Sequence, residues 1–450
     1  MTVETAPPAR PAEPQLLRAI GPVQMMLYGA GSMMGAGIYG LVGKAAGQIG
    51  PAVWLSFLAA LVAALFTGLS YAALGSRYPR AGGAAYMTQH AFGRPLLTHV
   101  VGMATAFSGL TSIATGALVI AENLQRAPIL SAAPTVVLGL GYILLMAGIV
   151  FRGIKESIWV NMVCTLIEAS GLILVIVVGA RFWGQANLLE FAPPTSGNAS
   201  VFAPLLVLQG AALTFFAFVG FEDSLNVAEE VKNPRVTLPL GIILAMGVTA
   251  VLYIGVAITA VSVIPWQALG AAKAPLADVM AKAAPWFPAS AFIVITIAAV
   301  ANSALVNYVT ASRLLFGMAR DGRLPSALAR VHRARRTPHV AIGLLLAILI
   351  VLVLSGGVTQ LAEATVLLLL TVFVVVNTAY LILKHRKGEP RGAFEPPLIV
   401  PLLGMLSCGA LLVVRVSTGN WQAPAIAGGM ILLALVLYGF TRVKVAKVEA

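Results

Sequence analysis

Two carboxylates, Glu222 and Asp223, stand side by side deep in an otherwise apolar run that reads TFFAFVGFEDSLNVAEEVKNP over residues 214–234. Acidic side chains at such depth are costly, and in a membrane segment they mark a path for a substrate or an ion. Glu222 is read as the buried member of the pair. The alternative is that both already stand at the cytoplasmic end of a shorter helix, next to solvated Glu229 and Glu230. A second unusual stretch, YGAGSMMGAGIYGLVG at residues 28–43, gathers Gly29, Gly31, Gly35, Gly37, Gly40 and Gly43 into one run. Each glycine costs about 1 kcal/mol relative to alanine in a helix interior, so this run is expected to break. Close helix packing through small residues is the competing explanation, and Gly31 and Gly35 have the GxxxG spacing. A dinucleotide fingerprint does not fit, because the pattern is GxGxxxG, no strand precedes it and the run has bilayer length.

Other chemistries find little support. Cys164 and Cys408 both lie in apolar runs without a neighbouring partner, so neither a disulfide framework nor a Cys/His metal site is expected. His90, His99, His332, His339 and His385 fall at run ends and in basic loops, and are read as solvated. An intramembrane hydrolase would need a nucleophile and base, or clustered ligands, inside the apolar runs. With no histidine deep in any of them, neither an enzyme nor a cofactor is expected.

The elements that must position these residues follow from composition. Of 450 residues, 59% are hydrophobic and only 10% charged, against about 25% charged in ordinary globular proteins, and the mean hydropathy is +0.93. So little polar surface cannot cover a water-soluble globule of this size, and the chain is expected to be an all-α integral membrane protein. Helices are favoured because a barrel would show short alternating segments. Twelve runs approach the roughly 20 apolar residues that a bilayer span requires. They cover residues 23–46, 52–74, 96–118, 135–150, 158–178, 203–227, 240–263, 291–316, 340–354, 364–383, 398–416 and 423–440. The Pro- and Ala-rich residues 1–19 lack the apolar stretch and cleavage site of a signal peptide and are read as a disordered cytoplasmic tail, with a second tail at 441–450.

Charge placement sets the expected orientation. With the N-terminus inside, 23 of the 29 Lys and Arg residues fall on the inner side and six on the outer, the bias of an even number of spans with both termini cytoplasmic. The net charge of +13 is thereby explained without nucleic acid. The basic run RVHRARR at 330–336 is expected to anchor a cytoplasmic loop, with membrane lipid headgroups as a further contact.

The first and sixth runs each open a set of five, and both are interrupted. Discontinuous helices at matching positions in two halves point to a midplane binding site in inverted-repeat transporters. A half-helix N-terminus offers free N–H groups to an anion, and free carbonyls attract an ammonium. The pair of breaks therefore suits a zwitterion.

Four segments carry a resemblance to a known family. GAGIYGLVGKAAGQIGPA (35–52) looks like a first-helix break and its following loop, and RYPRAGGAAY (77–86) like a cytoplasmic loop after helix two. FFAFVGFEDSLNVAEEVKNPRVTLP (215–239) looks like a broken sixth helix, and ASRLLFGMARDGRLP (311–325) with TPHVAI (337–342) like the exit from helix eight. In this order they resemble the amino acid–polyamine–organocation (APC) superfamily of permeases, from Gln24 to about Lys387. The resemblance implies twelve transmembrane helices in a LeuT-like five-plus-five inverted repeat, with helices 1 and 6 broken and access alternating. The repeats would cover about 20–180 and 200–385 of a single domain at 20–440, followed by two helices at about 398–440. It further implies that the backbone amides of Met34, Gly35, Ala36 and Gly37 hold a substrate carboxylate, and that carbonyls around Ser32, Met33, Phe216 and Val219 take the amine. Phe216 matches an aromatic gate, with Phe218 nearby in the same motif, and Glu222 matches a carboxyl site that senses pH in some relatives.

One departure concerns coupling. Aligning GIKESIWVNMVCTLIEASGLILVIVVG (153–179) with the fifth helix of proton-coupled members puts Glu168 where they carry a lysine. Glu168 could carry a proton, serve a cation or pair with a neighbouring base. Glu168 and Glu222 are the candidate coupling groups. Among Asn161, Asn302, Asn307 and Asn377, all expected in interhelical hydrogen bonds, Asn302 is the candidate for substrate contact. The sequence thus predicts a secondary active amino acid permease of the cytoplasmic membrane, driven by protons. The alternatives are an exchanger of amino acid for amine or polyamine and, more remotely, a channel. A monomer or weak homo-oligomer is expected, with no nucleic-acid partner and no metal.

Overall fold

A computed structural model describes residues 20–80, 82–152, 158–192, 203–320, 324–333, 335, 337–418 and 421–448. The expected tail at 1–19 lies outside these residues, as do 449–450 and Arg10, Arg18, Lys155, Arg323 and Arg336 of the basic set. Among the described residues the regular structure is helical, apart from one parallel bridge between Ile20 and Val231.

The first apolar run forms α1 (Pro22–Met33) and α2 (Ala36–Ile49), which are bent by 46° across the break. Proline opens α1, where its missing N–H costs nothing, and the Gln24 side chain accepts the Gly21 N–H at 2.6 Å. The second run is α3 (Val53–Arg77); it is followed by α4 (Gly83–Phe92), a helix that begins inside the stretch read from sequence as a loop. Then come α5 (Pro95–Leu124), α6 (Thr135–Arg152) and α7 (Ile158–Gly179).

The sixth run is α8 (Ala203–Thr214) followed by two 3₁₀ segments, Phe215–Phe218 and Phe221–Glu230, separated by Val219 and Gly220. Ten residues of 3₁₀ helix are unusual, since its hydrogen bonds are poorer than those of an α-helix and runs beyond three or four residues are uncommon. Beyond it lie α9 (Pro234–Val263), the short α10 (Trp266–Ala271) and α11 (Pro275–Ala283), and α12 (Ala289–Arg320). The last four runs are α13 (His339–Ser355), α14 (Val358–His385), α15 (Ile399–Thr418) and α16 (Gln422–Val448). The final helix therefore continues past residue 440, where the tail was expected to begin.

Ten helices among the described residues are long and apolar enough to cross a membrane, and the bent pair α1–α2 makes an eleventh span. The ninth expected run corresponds to the 17-residue α13, which at 1.5 Å per residue reaches roughly 26 Å, somewhat short of a bilayer core of about 30 Å. The apolar window of α5 is 83% buried within the bundle, whereas those of α15 and α16 are 22% buried. α5 is therefore a central post and the last two helices lie at the periphery. Around that post pack α12, α14 and α6, while α1 rests on α9 and α7, and α3 on α9.

The two broken spans are also joined at one end. The Ile20 N–H donates to the Glu230 carbonyl at 3.0 Å and the Lys232 N–H to the Ile20 carbonyl at 2.8 Å. The entry to α1 is thus stitched to the exit of the 3₁₀ segment.

Candidate functional site

Both breaks fall where glycine lets backbone meet backbone. A β-carbon placed on Gly37, in the first turn of α2, would lie 2.5 Å from the Ala217 Cα. At Gly220, where φ is +128°, a β-carbon would lie 2.6 Å from the Ser32 carbonyl oxygen. Real side chains do not tolerate such distances, so the two interruptions are held in direct contact by their glycines.

A cavity opens between them. From the first break it is lined by Ser32, Met33, Gly35, Ala36 and Gly37, and from the second by Phe216, Val219, Gly220 and Asp223. The walls come from Ser112 and Gly116 on α5, one helical turn apart, and from Val300, Ser303, Ala304 and Asn307 on α12. The space between these lining atoms, its mouth included, is about 430 Å³. The four α12 positions follow the i, i+3, i+4, i+7 stripe of a single helix face.

The cavity has two electrical poles. The first N–H groups of α2, on Ala36, Gly37 and Ile38, have no acceptor within their own helix and form its positive dipole end. Opposite in sign is the Asp223 carboxylate, whose Oδ2 accepts the Ser32 hydroxyl at 2.7 Å and whose Oδ1 accepts Asn226 Nδ2 at 3.3 Å. At the end of α1 the Met33 carbonyl already accepts the Tyr253 hydroxyl at 2.9 Å, and the Phe216 carbonyl accepts the Val219 N–H at 3.2 Å. Each of these oxygens keeps one lone pair for a further donor.

The remaining candidate residues are distributed as follows. Met34 and Phe218 are buried beside the cavity without lining it; Phe218 packs edge-on against Tyr253, with ring centroids 5.3 Å apart. Both acidic neighbours are buried, not Glu222 alone: Glu222 is 8% exposed and Asp223 7%. Their roles are divided, since Glu222 Oε2 accepts the Gly220 N–H at 2.8 Å, within the break itself, while Asp223 faces the cavity. Asn302, expected at the substrate, lies off the lining stripe and accepts a hydrogen bond from Asn161 Nδ2 on α7 at 3.3 Å. Asn307, five residues on, is the asparagine that reaches the cavity.

Glu168 on α7 is fully buried, and among the described residues neither carboxylate oxygen accepts a well-formed hydrogen bond, the Asn302 side chain being the polar group that interacts with it. Its backbone carbonyl accepts the Tyr39 hydroxyl at 3.1 Å. Among the described residues Asn161 Oδ1 has no partner either, so a cluster of buried polar side chains with poorly met hydrogen bonds sits behind the first break. α1 comes close here, because a β-carbon on Gly31 would meet Thr165 Oγ1 at 1.9 Å. His99 departs from the solvated reading: it is 1% exposed, with Nε2 3.0 Å from the Ala434 carbonyl on α16.

At one end of the bundle the segment between α14 and α15 is clamped to α3 and α4. Arg77 Nε and Nη2 donate to Glu395 Oε1 and Oε2 at 2.7 and 2.6 Å, a bidentate pair. Glu389 Oε2 accepts the Tyr78 hydroxyl at 2.7 Å and lies 3.1 Å from His90 Nε2. The Tyr78 hydroxyl, followed by His90 and Arg386, holds the Glu389 carboxyl below the usual carboxylate range. Burial pushes the Glu395 carboxyl up, but the Arg77 guanidinium and the Gly392 N–H bring it below its ordinary value. Lys384 and Arg386, also expected on the inner side, join the same cluster through the carbonyls of Pro396 and His90.

An all-helical, multi-span protein with two interrupted spans facing each other across a polar cavity is built as a broken-helix membrane carrier. The chain belongs to the amino acid permease family, whose profile matches residues 20–440, and thus to the APC superfamily, which is consistent with a LeuT-like fold. It is similar to the branched-chain amino acid permease BcaP of Bacillus subtilis, at 29% identity over 428 residues covering 90% of either chain. It is 30% identical over 417 residues to the methylthioribose transporter of the same organism, covering 88% of this chain and 87% of that one. The chloroplastic cationic amino acid transporter 9 of Arabidopsis thaliana is 33% identical over 337 residues, 70% of this chain. This chain matches 58% of that longer protein. All three are named as transporters, which points away from an enzyme.

Proposed function

We propose that this chain is a secondary active amino acid permease that binds its substrate between the two breaks and carries it by alternating access in symport with protons. The single observation supporting this most strongly is the cavity bounded by both interruptions at once, with the N-terminus of α2 on one side and Asp223 on the other. In this reading the backbone amides of Gly35, Ala36 and Gly37, at the N-terminus of α2, hold the substrate carboxylate; the Met34 amide, expected to join them, instead donates to the Ala30 carbonyl at 2.8 Å. The carbonyls around Ser32, Met33, Phe216 and Val219 meet its amine, and Phe216 closes over it. Residues 20–180 and 200–385 act as the two inverted repeats, in a cytoplasmic membrane with both termini inside.

Glu168 and Glu222 are the proposed proton carriers. Support comes from burial: a carboxylate enclosed with no cation among the described residues and only a neutral amide beside it, as Glu168 is beside Asn302, carries an uncompensated charge that a bound proton removes. The deciding experiment uses purified protein in liposomes. A symporter accumulates amino acid into empty vesicles under an inward proton gradient, whereas an exchanger moves it only against internal counter-substrate. Uptake that needs counter-substrate and ignores the gradient would replace symport with exchange.

A further inference from the structure

Asp223 is the one ionisable side chain among the described residues lining the cavity, and nothing within the lining neutralises it. Its two hydrogen bonds, from Ser32 Oγ at 2.7 Å and Asn226 Nδ2 at 3.3 Å, occupy about half of the four lone-pair positions of a carboxylate. The Ser32 hydroxyl also ties it to the end of α1, so the carboxylate is shared by both breaks. Glu222 does not compete for the same role, because it is turned into the backbone of the second break at Gly220. The remaining polar lining groups are the neutral Ser112, Ser303 and Asn307.

We infer that Asp223 is a specificity-determining residue that takes the ammonium of the substrate directly, and that the site therefore selects amino acids with uncharged side chains. This rests on the permease reading above. A charge left in a buried site is costly unless paired, and a zwitterion pairs both poles: its ammonium meets Asp223 and its carboxylate the N-terminus of α2. An amine without a carboxylate leaves the helix end unanswered. A second ammonium, as on lysine, finds only neutral hydroxyl and amide groups. Asp223 thus adds a carboxylate to the backbone carbonyls, making the ammonium the most strongly recognised group of the ligand.

The test measures binding to the purified protein in detergent for a panel of neutral L-amino acids, each matched with its 2-hydroxy acid, and for L-lysine. The expected result in the parent protein is that the best neutral amino acid binds about tenfold or more tighter than L-lysine. Removing one member of a buried charge pair weakens binding roughly 30-fold or more. Asp223→Asn should therefore weaken the amino acid by about that factor while moving its 2-hydroxy acid less than about threefold. Should Asp223→Asn not be recovered as a monodisperse protein, Asp223→Glu and Ser32→Ala carry the test. The former is expected to keep much of the preference for amino acid over hydroxy acid, and the latter to lose part of it. A preference unchanged in Asp223→Asn, or in Ser32→Ala where that variant stands in, overturns the assignment of Asp223. L-Lysine binding as tightly as the neutral amino acids overturns the substrate class. If the parent protein binds no amino acid at all, it is the permease reading that fails.

Discussion

Gly220 and Ser32 meet backbone to backbone across the two interrupted spans: a β-carbon on Gly220 would lie 2.6 Å from both the carbonyl carbon and the carbonyl oxygen of Ser32. The contact joins the second break to the last turn of α1, one residue before Met33, whose carbonyl is held by Tyr253. With Gly37 against Ala217 it forms the second of two glycine contacts that set the distance between the halves of the cavity. The site is thus shaped first by close backbone approach, and only then by side chains.

Gly220→Ala is accordingly expected to be severe. Positive φ alone costs a non-glycine residue about 1–3 kcal/mol, and the overlap with Ser32 adds to it, so both melting temperature and uptake should fall. Gly317→Ala is the matched control, since a β-carbon there meets nothing within 4 Å and alanine favours the helix by about 1 kcal/mol. Equal melting temperatures for the two variants in detergent would show that the contact at Gly220 does not constrain the fold.

Gly37→Ala tests the other contact. Its β-carbon would overlap the Ala217 Cα, a backbone atom that cannot rotate away. The first turn of α2 must then move off the Phe215–Phe218 segment, and the α2 amides shift with it. Amino acid affinity is expected to fall by about tenfold or more, corresponding to 1.4 kcal/mol or more, and further than thermal stability alone would suggest. A variant with parental affinity would remove the α2 N-terminus from the proposed site.

The positions of the breaks were legible in the chain because glycine crowding and an acidic pair in an apolar run are local signals. What surrounds them was not. α12 carries small and apolar residues on every side, so nothing in its sequence fixes which face meets the cavity, and Asn302 rather than Asn307 is the candidate it suggests. α5 is buried nearly all round, which erases the amphipathic phase that would have pointed to Ser112 and Gly116. Asp223 and Glu222 are both buried at the start of a segment that is 3₁₀ over Phe221–Glu230, a conformation that apolar periodicity does not reveal. The 83–92 helix was hidden by the glycines at its start, and His99 by a contact with α16 more than 300 residues away.

Glu168→Gln and Glu222→Gln separate coupling from binding. Each substitution keeps the shape of the side chain and removes its ability to release a proton. The coupling variant is expected to lose accumulation driven by a proton gradient while retaining exchange of internal for external amino acid. The measurement is uptake into liposomes between about pH 5 and pH 8, which brackets the range over which a coupled carrier responds to its gradient. If both variants keep the parental profile and accumulation, neither carboxyl carries the coupled proton.

The clamp between Arg77 and Glu395 predicts how stability depends on pH. Glu395 and Glu389 are both held below the ordinary carboxylate range in the folded protein. A carboxyl depressed on folding contributes stability that is fully present above its unfolded pKa of about 4.3 and is lost as pH falls through its folded value. The clamp should therefore make no difference to the pH dependence of melting between about pH 6 and pH 8. Its contribution should fade below about pH 4. Glu395→Gln is expected to melt lower than the parent protein at neutral pH, with the gap closing as the solution is acidified. Arg77→Met should cost more, because it leaves Glu395 with half of its partners gone in a partly buried site. Loss of one partner from a fully buried pair costs about 3–5 kcal/mol, and the 25% exposure of the Glu395 side chain reduces that to roughly 2–3 kcal/mol. A gap between parent and Glu395→Gln that stays constant down to about pH 3.5 would mean that the ionised pair is not what ties the segment between α14 and α15 to α3.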